Sequence, residues 1–359
     1  MKKIFKKIAV IAGARPNFMK ATPLCREMAK QKLDYFLINT GQHFSKDMAA
    51  GFFREFKIKP NYSLTPSRQS TIRQFADILT GIEEIFNKEK PSLAVVVGDV
   101  NSTLAGALTA NKMGIKLAHV EAGLRSYNDK MPEEVNRVIT DRLANLLFVS
   151  EKEAVKNLNK EGITKDIHLV GNIMIDTMEL FLNKIKDSAE KFYFCTLHRA
   201  ENVDDKDIFA EILDALEIIA QDNTIYLPLH PRTKKMAEEF GLLKKINKIF
   251  TVLPPLNYRW SLYYQKNAQL VLTDSGGVQE ETSYLGTPCI TLRTETERPV
   301  TVTRGTNTIG GVTARSILAA YRAKNFARKK VALPYWDGRT AERIVAVIKK
   351  QHEKFTGID

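Results

Sequence analysis

Short apolar runs rich in β-branched residues alternate along the chain with longer stretches whose apolar residues recur at helical spacing. Continuous apolar runs of this length are typical of strands in a parallel sheet that is buried on both faces. A first series of runs therefore predicts the strands of one such sheet. These runs occupy residues 7–13, 35–41, 93–99, 116–122, 146–150 and 167–172.

The pattern restarts after a helical stretch near residues 178–189, which predicts a second sheet. The 359 residues also exceed the ~250–300 residues that a single core usually supports. We therefore expect an α/β protein with two Rossmann-like domains, residues 1–172 and 173–339. Residues 340–359 predict a terminal helix, which by analogy with paired Rossmann folds packs back on the first domain. The second series of runs occupies residues 192–198, 224–230, 249–255, 268–274 and 288–293.

The cysteines and the start of the chain indicate the cellular compartment. Cys25, Cys195 and Cys289 are odd in number and lie in apolar patterns, so we expect reduced core residues. The basic start precedes an apolar run that is short for a signal peptide and is better interpreted as the first strand. No apolar stretch approaches the ~18 residues of a membrane span. We expect a soluble, cytoplasmic protein without a membrane partner.

The net charge of +13 suits nucleic acid, anionic lipid or an anionic small substrate. The lysines are scattered through amphipathic helices, and the one dense basic run, residues 328–330, is short and has no interleaved aromatics. We interpret the charge as a solvated surface and expect no nucleic-acid partner.

Ligands of open α/β sheets bind at the carboxyl ends of the strands, so the residues that follow each run are the first candidates. One run enters the turn Ser275-Gly276-Gly277 and then a helix. The glycines allow close approach of a phosphate, and the free amides of a helix N-terminus favour an anion. Glu281, one turn further along, is placed to accept hydrogen bonds from a ribose. The alternative is an ordinary turn in which Ser275 only caps the helix.

Cations follow the first predicted strand. Arg15 and Lys20 stand on either side of a helix start, and Pro16 suits the first helical position. Two cations there would flank a diphosphate. Taken alone, the pattern is more typical of two surface cations on a strand-turn-helix, and it gains weight only together with the other motifs.

Two carboxylates follow the next buried strands. Asp99 ends one run and Glu121 ends another, where partial burial and charged neighbours tune a carboxylate for proton transfer. The alternative for Asp99 is a helix cap or turn residue, although Ser102 or Thr103 is the expected cap.

A third acidic candidate, Glu133, stands beside Glu134 after an irregular loop. Acidic residues also favour the first turn of a helix for electrostatic reasons alone. That explanation can apply to Glu134 while Glu133 points inward.

Histidines follow two apolar runs of the second half. His198 and His230 occupy equivalent positions after neighbouring predicted strands, which favours a ligand role, and His198 is placed to donate to a phosphate. Arg298 lies in a charged loop and is a candidate for a phosphate or a sugar hydroxyl, although such an arginine is commonly just exposed. No cluster has zinc spacing or a calcium-loop pattern, so no metal is expected.

Taken in order, these segments resemble the non-hydrolysing UDP-N-acetylglucosamine 2-epimerase family over nearly the whole chain. The resemblance implies a glycosyltransferase-B-like pair of domains, an active site in the interdomain cleft and a homodimer. It implies reversible conversion of UDP-N-acetylglucosamine to UDP-N-acetylmannosamine through elimination of UDP to 2-acetamidoglucal, without a cofactor. The matching segments are residues 13–20, 39–43, 98–103, 119–126, 131–137, 197–202, 229–231, 273–281 and 286–299.

The family roles carry over motif by motif. The resemblance implies acid and base roles for Asp99, Glu121 and Glu133, and support of catalysis beside the phosphates for Lys20 and His198. It also implies diphosphate or ribose binding for a second set of residues. These are Arg15, Ser275, Gly276, Gly277, Glu281 and Arg298.

Some positions depart from the commoner bacterial pattern and suggest a divergent subgroup. Ala14 and Asn17 replace the usual Thr and Glu of the first motif, and Val300 replaces a Glu. Residues 44–48 differ from the segment that helps to form an activating substrate site, which puts allosteric activation in doubt.

The expected uracil contacts also change. Leu256 and Ser261 stand where the family has a Gln and an aromatic, so stacking is expected from Tyr258 or Trp260, while main-chain contacts near Leu256 can survive.

Two other enzymes remain compatible with the same fold and nucleotide site, namely a hydrolysing UDP-N-acetylglucosamine 2-epimerase and a UDP-sugar glycosyltransferase. A sugar-nucleotide sensor without turnover is less favoured, because the three carboxylates are present. The family is associated with polysaccharide biosynthesis, but the residues do not identify a pathway.

Overall fold

The computed structural model describes residues 7–42, 51, 53–329 and 331–355. The chain divides into two compact units. Unit 1 comprises Met1–Thr177 and Pro334–Asp359, and unit 2 comprises Met178–Leu333. His43, residues 44–48 of the segment considered for allosteric activation, and Lys330 lie outside the described residues.

Unit 1 contains a parallel sheet of seven strands in the order β3-β2-β1-β4-β5-β6-β7. The order reverses between β1 and β4, where Val10 lies opposite Val95. The strands are β1 (Ile8–Ala12), β2 (Tyr35–Asn39), β3 (Tyr62–Ser63), β4 (Leu93–Val97), β5 (Lys116–Val120), β6 (Leu146–Val149) and β7 (Ile167–Leu169).

The helices of unit 1 cover this sheet, and the apolar sides of the strands and helices form its core. They are α1 (Arg15–Lys30), α2 (Thr71–Glu89), α3 (Asn101–Lys112), α4 (Pro132–Leu143) and α5 (Lys152–Lys160). The next helix, α6 (Ile173–Leu182), contains the division between the units.

Unit 2 contains a parallel sheet of six strands in the order β10-β9-β8-β11-β12-β13. Its order reverses between β8 and β11, where Thr196 lies opposite Thr273. The strands are β8 (Tyr193–Thr196), β9 (Ile225–Pro228), β10 (Thr251–Leu253), β11 (Leu270–Thr273), β12 (Cys289–Thr291) and β13 (Asn307–Ile309).

The helices of unit 2 alternate with its strands. They are α7 (Ala200–Val203), α8 (Lys206–Ile219), α9 (Pro231–Glu239), α10 (Leu243–Ile249), α11 (Tyr258–Asn267), α12 (Gly276–Leu285), α13 (Pro299–Thr303) and α14 (Ala314–Ala323). The terminal helix α15 (Thr340–Phe355) belongs to unit 1, where it packs against α1. Its first amides are bound by Asp176, which accepts from the main chain of Thr340 and Ala341 at 3.0 and 2.7 Å.

The structure confirms two parallel sheets and corrects several details. Strands β3 and β13 are absent from the predicted series, because they are short and their sequences, Tyr-Ser and Asn-Thr-Ile, contain no continuous apolar run. The helix expected near residues 178–189 instead spans Ile173–Leu182.

Two further observations concern the cysteines and the helices. Cys25, Cys195 and Cys289 are free and buried, as expected, and burial raises the pKa of the Cys25 thiol to about 12. Among the described residues, no helix combines the length and the apolar character needed to cross a bilayer.

Candidate active site

Glu121 lies immediately after β5 in a strained main-chain conformation. Its φ of +73° is in the left-handed region, which a residue with a side chain rarely adopts. The main-chain amides of Glu121 and Ala122 both donate to the carbonyl of Phe148 at 3.0 Å, which fixes the turn. Such strain concentrates at functional sites, so this carboxylate is a strong candidate.

Lys20 of α1 forms a buried ion pair with Glu121. Gly98, which follows β4, has a φ of +68°, and a Cβ at this position would lie 3.2 Å from Nζ of Lys20. A side chain at this position would be strained by the left-handed conformation and would crowd Lys20. The structure thus brings together two predicted site residues from different elements.

Asn17 is structural in this chain. Its Oδ1 accepts from the main chain of Ala14 at 3.1 Å, and its Nδ2 donates to the carbonyl of Val97 at 2.8 Å. The side chain thus ties the start of α1 to the end of β4, which places Lys20 next to Gly98. The departure from the family pattern at residues 14 and 17 therefore leaves this turn fully hydrogen-bonded.

Asp99 is paired with an arginine that the sequence analysis did not select. Nη2 of Arg137, on α4, lies 2.6 Å from Oδ2 of Asp99, and Nη1 lies 2.9 Å from Glu134. Asn136 donates to the main-chain carbonyl of Asp99 at 2.9 Å. One helix therefore holds both the side chain and the backbone of this candidate.

The burial of Glu133 and Glu134 is the opposite of the prediction, in which Glu133 pointed inward. Glu134 is buried and accepts from Ser126 and Tyr127, whereas Glu133 is exposed. Glu134 is thus occupied in holding the loop before α4. The acid or base role of Glu133 stays a prediction.

The expected helix cap after β4 was wrong. The cap position of α3 is Val100, and both hydroxyl side chains lie inside the helix. Ser102 interacts with Gln42 at 2.6 Å, and Thr103 donates to the carbonyl of Val97 at 2.9 Å. Both hydroxyls are thus bound to groups outside the helix, and the pairing of Ser102 with Gln42 spans 60 residues, so local sequence spacing does not reveal it.

In unit 2, the turn Ser275-Gly276-Gly277 leads from β11 into α12. Ser275 occupies the cap position, but its side chain makes no capping hydrogen bond, and its amide donates to the hydroxyl of Thr273 at 3.0 Å. The first turn of this ten-residue helix therefore lacks a side-chain cap. Both glycines have space for a Cβ within the protein, with the closest atom 3.9 Å from Gly276 and 4.0 Å from Gly277.

Asp274 orients His198. The fully buried carboxylate accepts from the main-chain amides of His198 and Arg199 at 2.7 and 2.8 Å, and it lies 3.2 Å from Nδ1 of His198. Burial raises the pKa of Asp274, but His198 and the two amides reverse this effect, so the pKa lies below its usual value. The ring of His230 lies 5.3 Å from that of His198, as expected for neighbouring strands.

Arg298 and Glu281 both have partners within unit 2. Nε of Arg298 lies 2.6 Å from Oε1 of Glu280. Glu281 is buried, and Nε2 of Gln265 donates to its Oε2 at 2.7 Å. Both predicted ligand-binding side chains are thus held by neighbours.

The uracil candidates differ in exposure. The Tyr258 ring is buried against Phe181, with ring centroids 5.3 Å apart, whereas Trp260 is 53% exposed. Leu256 is half-buried and packs against the apolar cluster around Phe192. Of the two aromatic candidates, Trp260 is the one whose ring is accessible.

The charged groups of the two units differ, and this difference determines the chemistry that each unit can support. Buried carboxylates next to cations can exchange protons, and a helix N-terminus without a side-chain cap can hold an anion. Arg15 is exposed at the first position of α1. No group of three or more potential metal-binding side chains occurs in the described part of the chain.

Arg137 and Glu280, which hold predicted site residues, were not among the predicted residues, and Asp274 was predicted only as one of the residues that follow a strand. Of these contacts, the sequence contains a sign only of the ion pair between Glu134 and Arg137, because side chains three residues apart are neighbours on a helix. The partners of Asp274 and Glu280 come from other strands and loops, so local spacing contains no sign of them.

The chain is similar to known epimerases over nearly its full length. Residues 26–349 match the family model described as UDP-N-acetylglucosamine 2-epimerase. A UDP-N-acetylglucosamine 2-epimerase of Methanococcus maripaludis is 40% identical, over 95% of this chain and 98% of that protein. A UDP-2,3-diacetamido-2,3-dideoxy-D-glucuronate 2-epimerase of Pseudomonas aeruginosa is 39% identical, over 88% of this chain and 91% of that protein.

A solved structure shows the same fold. The crystal structure of the UDP-GlcNAc 2-epimerase of Methanocaldococcus jannaschii, in complex with UDP-GlcNAc and UDP, superimposes with a TM-score of 0.86. It is 39% identical and covers 96% of this chain and 99% of its own. The predicted glycosyltransferase-B-like architecture of two Rossmann-like domains is confirmed.

Proposed function

The chain belongs to the UDP-N-acetylglucosamine 2-epimerase family, and on that premise we propose that it is an isomerase that converts UDP-N-acetylglucosamine reversibly to UDP-N-acetylmannosamine. UDP is eliminated across carbons 1 and 2 to give bound 2-acetamidoglucal. UDP then adds back while a proton reaches carbon 2 from the other face. These steps balance without an oxidant, so the proposal includes no cofactor.

Proton transfer is assigned to unit 1. The observation that carries the proposal is the ion pair of Lys20 with Glu121, a buried carboxylate in a strained conformation. This pair and Asp99 lie at the carboxyl ends of β1, β4 and β5, where the strand order of the sheet reverses between β1 and β4. Such edges are the ligand sites of open α/β sheets. Each of these two carboxylates has a cation beside it, Lys20 for Glu121 and Arg137 for Asp99. Glu133, exposed on α4, is the third candidate.

Binding of UDP is assigned mainly to unit 2. The amides of Gly276 and Gly277 at the start of α12 suit a diphosphate, with His198 and Arg298 as donors. Glu281 is assigned to the ribose, the main chain near Leu256 to uracil, and Trp260 to stacking. Arg15 of unit 1 supplies a further cation for the diphosphate.

A single NMR time course in deuterated water tests the reaction. We expect deuterium at carbon 2 of both epimers without net release of UDP. Accumulation of UDP without exchange at carbon 2 would instead indicate a hydrolysing epimerase or a transferase, and it would overturn the proposal.

The Pseudomonas aeruginosa relative suggests a second candidate substrate. Its sequence is 39% identical to this chain, nearly the same as the 40% of the Methanococcus maripaludis epimerase. The carbon-2 chemistry of a UDP-2,3-diacetamido-2,3-dideoxyglucuronate would be the same, but the sugar would carry an additional acetamido group and a carboxylate. Comparison of kcat/KM for the two UDP-sugars distinguishes these functions, and a higher value for the glucuronate would reassign the substrate.

We also propose a homodimer. Val135, Val138 and Ile139 are 45%, 37% and 38% exposed and share one side of α4, where large apolar residues usually face a partner. Light scattering should give a dimer mass for the wild type and a shift towards monomer for Val138→Glu. A monomeric wild type at micromolar concentration would contradict the proposal.

A further inference from the structure

A buried charged cluster lies beneath the proposed carboxylates of unit 1 and has no role in the assignments above. His119 of β5 and Asp141 of α4 are essentially inaccessible, with 0% and 1% exposure. Nδ1 of His119 lies 2.6 Å from Oδ1 of Asp141, and Nε2 lies 2.8 Å from the carbonyl oxygen of Gly98. The other carboxylate oxygen, Oδ2, accepts from the amide of Gly123 at 3.0 Å.

A guanidinium and a second carboxylate complete the cluster. Nη1 of Arg125 lies 2.7 Å from Oδ2 of Asp141, and the rest of the guanidinium makes two bonds of 2.6 and 2.7 Å to Glu161. The guanidinium of Arg125 therefore pairs with both carboxylates of the cluster, as buried charges require. Burial raises the pKa of Asp141, but His119 and Arg125 outweigh this effect and hold the pKa below its usual value.

The geometry determines the protonation state of His119. A main-chain carbonyl only accepts hydrogen bonds, so Nε2 must donate to Gly98. His119 and Arg125 hold the pKa of Asp141 below its usual value, so its carboxylate is ionised and can only accept, and Nδ1 must donate as well. A histidine that donates from both ring nitrogens is the imidazolium.

The same cluster determines the positions of two turns. Gly98 immediately precedes Asp99, and Gly123 follows Glu121 by two residues, so the path from Gly98 through His119 and Asp141 to Gly123 connects the two turns. Strained conformations such as that of Glu121 persist only where the surroundings over-determine them.

We propose that His119 and Asp141 are positioning residues for the epimerase reaction, holding the turns of Asp99 and Glu121 in register through a His119 imidazolium. The inference rests on the proposed function, because the roles of Asp99 and Glu121 are assigned there. Neither His119 nor Asp141 contacts the substrate in this proposal. Displacement by about 1 Å is enough to cost on the order of 10²-fold in rate, so such positioning is measurable.

The first test is NMR of the unmodified protein labelled with ¹⁵N at histidine, which has six histidines. The His119 signals are assigned in the wild type, by through-bond correlation of the ring to its own backbone amide. Because both ring nitrogens face hydrogen-bond acceptors, we expect both to carry a proton at pH 7. An unprotonated ring nitrogen at that pH would overturn the imidazolium and with it the proposal. This measurement keeps the inference falsifiable should the variant fail to fold.

The second test compares His119→Gln with His168→Gln. His168 is a matched control because it lies on β7 of the same sheet, with its ring 5.7 Å from that of Phe148, and outside the cluster. We expect kcat of His119→Gln to fall about 30-fold, and exchange at carbon 2 to fall with it, while KM changes by less than about 3-fold. The control should keep wild-type kcat. Thermal unfolding of both variants separates positioning from a general loss of stability.

The outcomes separate this inference from the proposed function. If the wild type epimerises and Asp99→Asn and Glu121→Gln are inactive, but His119→Gln matches the control, the positioning role is wrong and the proposed function stands. If the wild type shows no exchange at carbon 2, the proposed function fails and the positioning role fails with it.

Discussion

The two units use the same strand-turn-helix architecture but place their acidic residues differently. In unit 1, Glu121 and Asp99 follow strands directly and pair with cations at the sheet edge. In unit 2, Asp274 and Glu297 are bound to the unit's own amides and arginine, while the first turn of α12 lacks a side-chain cap. On the proposed function, one architecture presents carboxylates for proton transfer in unit 1 and amides for an anion in unit 2. The side chains that follow the strands determine whether carboxylates or main-chain amides are presented.

The largest expected effect comes from Glu121→Gln, which keeps the shape of the side chain but removes its charge. We expect kcat to fall about 10³-fold, within the usual contribution of a general acid or base, and KM to change little. Steady-state kinetics and deuterium exchange at carbon 2 measure the loss. Exposed Glu153, paired with Lys156, offers the control Glu153→Gln with wild-type kinetics. If Glu121→Gln keeps more than a tenth of wild-type kcat, the assignment of proton transfer to this residue fails.

A carboxylate of unit 2 should affect stability and leave chemistry largely unchanged. Burial raises the pKa of Glu297, but hydrogen bonds and charge from Arg293 dominate and lower it to about 2. A lowered pKa stabilises the fold above the unfolded value of 4.5. That contribution is lost as the pH falls from 4.5 to about 2.

We therefore expect Glu297→Gln to lower the free energy of unfolding by up to about 3 kcal/mol at pH 7, with the deficit disappearing as the pH approaches 2. Urea unfolding followed by circular dichroism at pH 7, 4 and 3 measures it. Glu295→Gln, at an exposed neighbour, is the control. A deficit that stays constant with pH would mean that the charge of Glu297 is not the source.

The sequence predicted the sheets and most strand-end residues because apolar runs and the residues that follow them are local. It did not predict the partners, since Arg137 reaches Asp99 across 38 residues and Asp274 reaches His198 across 76. Such pairs depend on strand order, which local spacing does not determine. The domain boundary after residue 172, the cytoplasmic location and the absence of a cofactor stay predictions.

Gly277→Ala is the substitution with the smallest expected effect, and it distinguishes an anion site from an ordinary helix start. The position has room for a Cβ and its φ is not in the left-handed region, so the protein itself does not require glycine. Replacing glycine by alanine within a helix stabilises it by roughly 0.5–1 kcal/mol. If the amides hold a diphosphate, however, the added methyl group obstructs its approach.

We therefore expect opposite changes in Gly277→Ala, namely unchanged or slightly higher stability and about 10-fold weaker binding of UDP, equivalent to about 1.4 kcal/mol. Thermal unfolding and titration calorimetry measure the two quantities. Gly81→Ala is the control, because this glycine lies in α2 of unit 1, where a Cβ meets only the flexible side chain of Leu64, and UDP binding should not change. Unchanged UDP affinity in Gly277→Ala would remove the start of α12 from the proposed site and with it the contrast between the units.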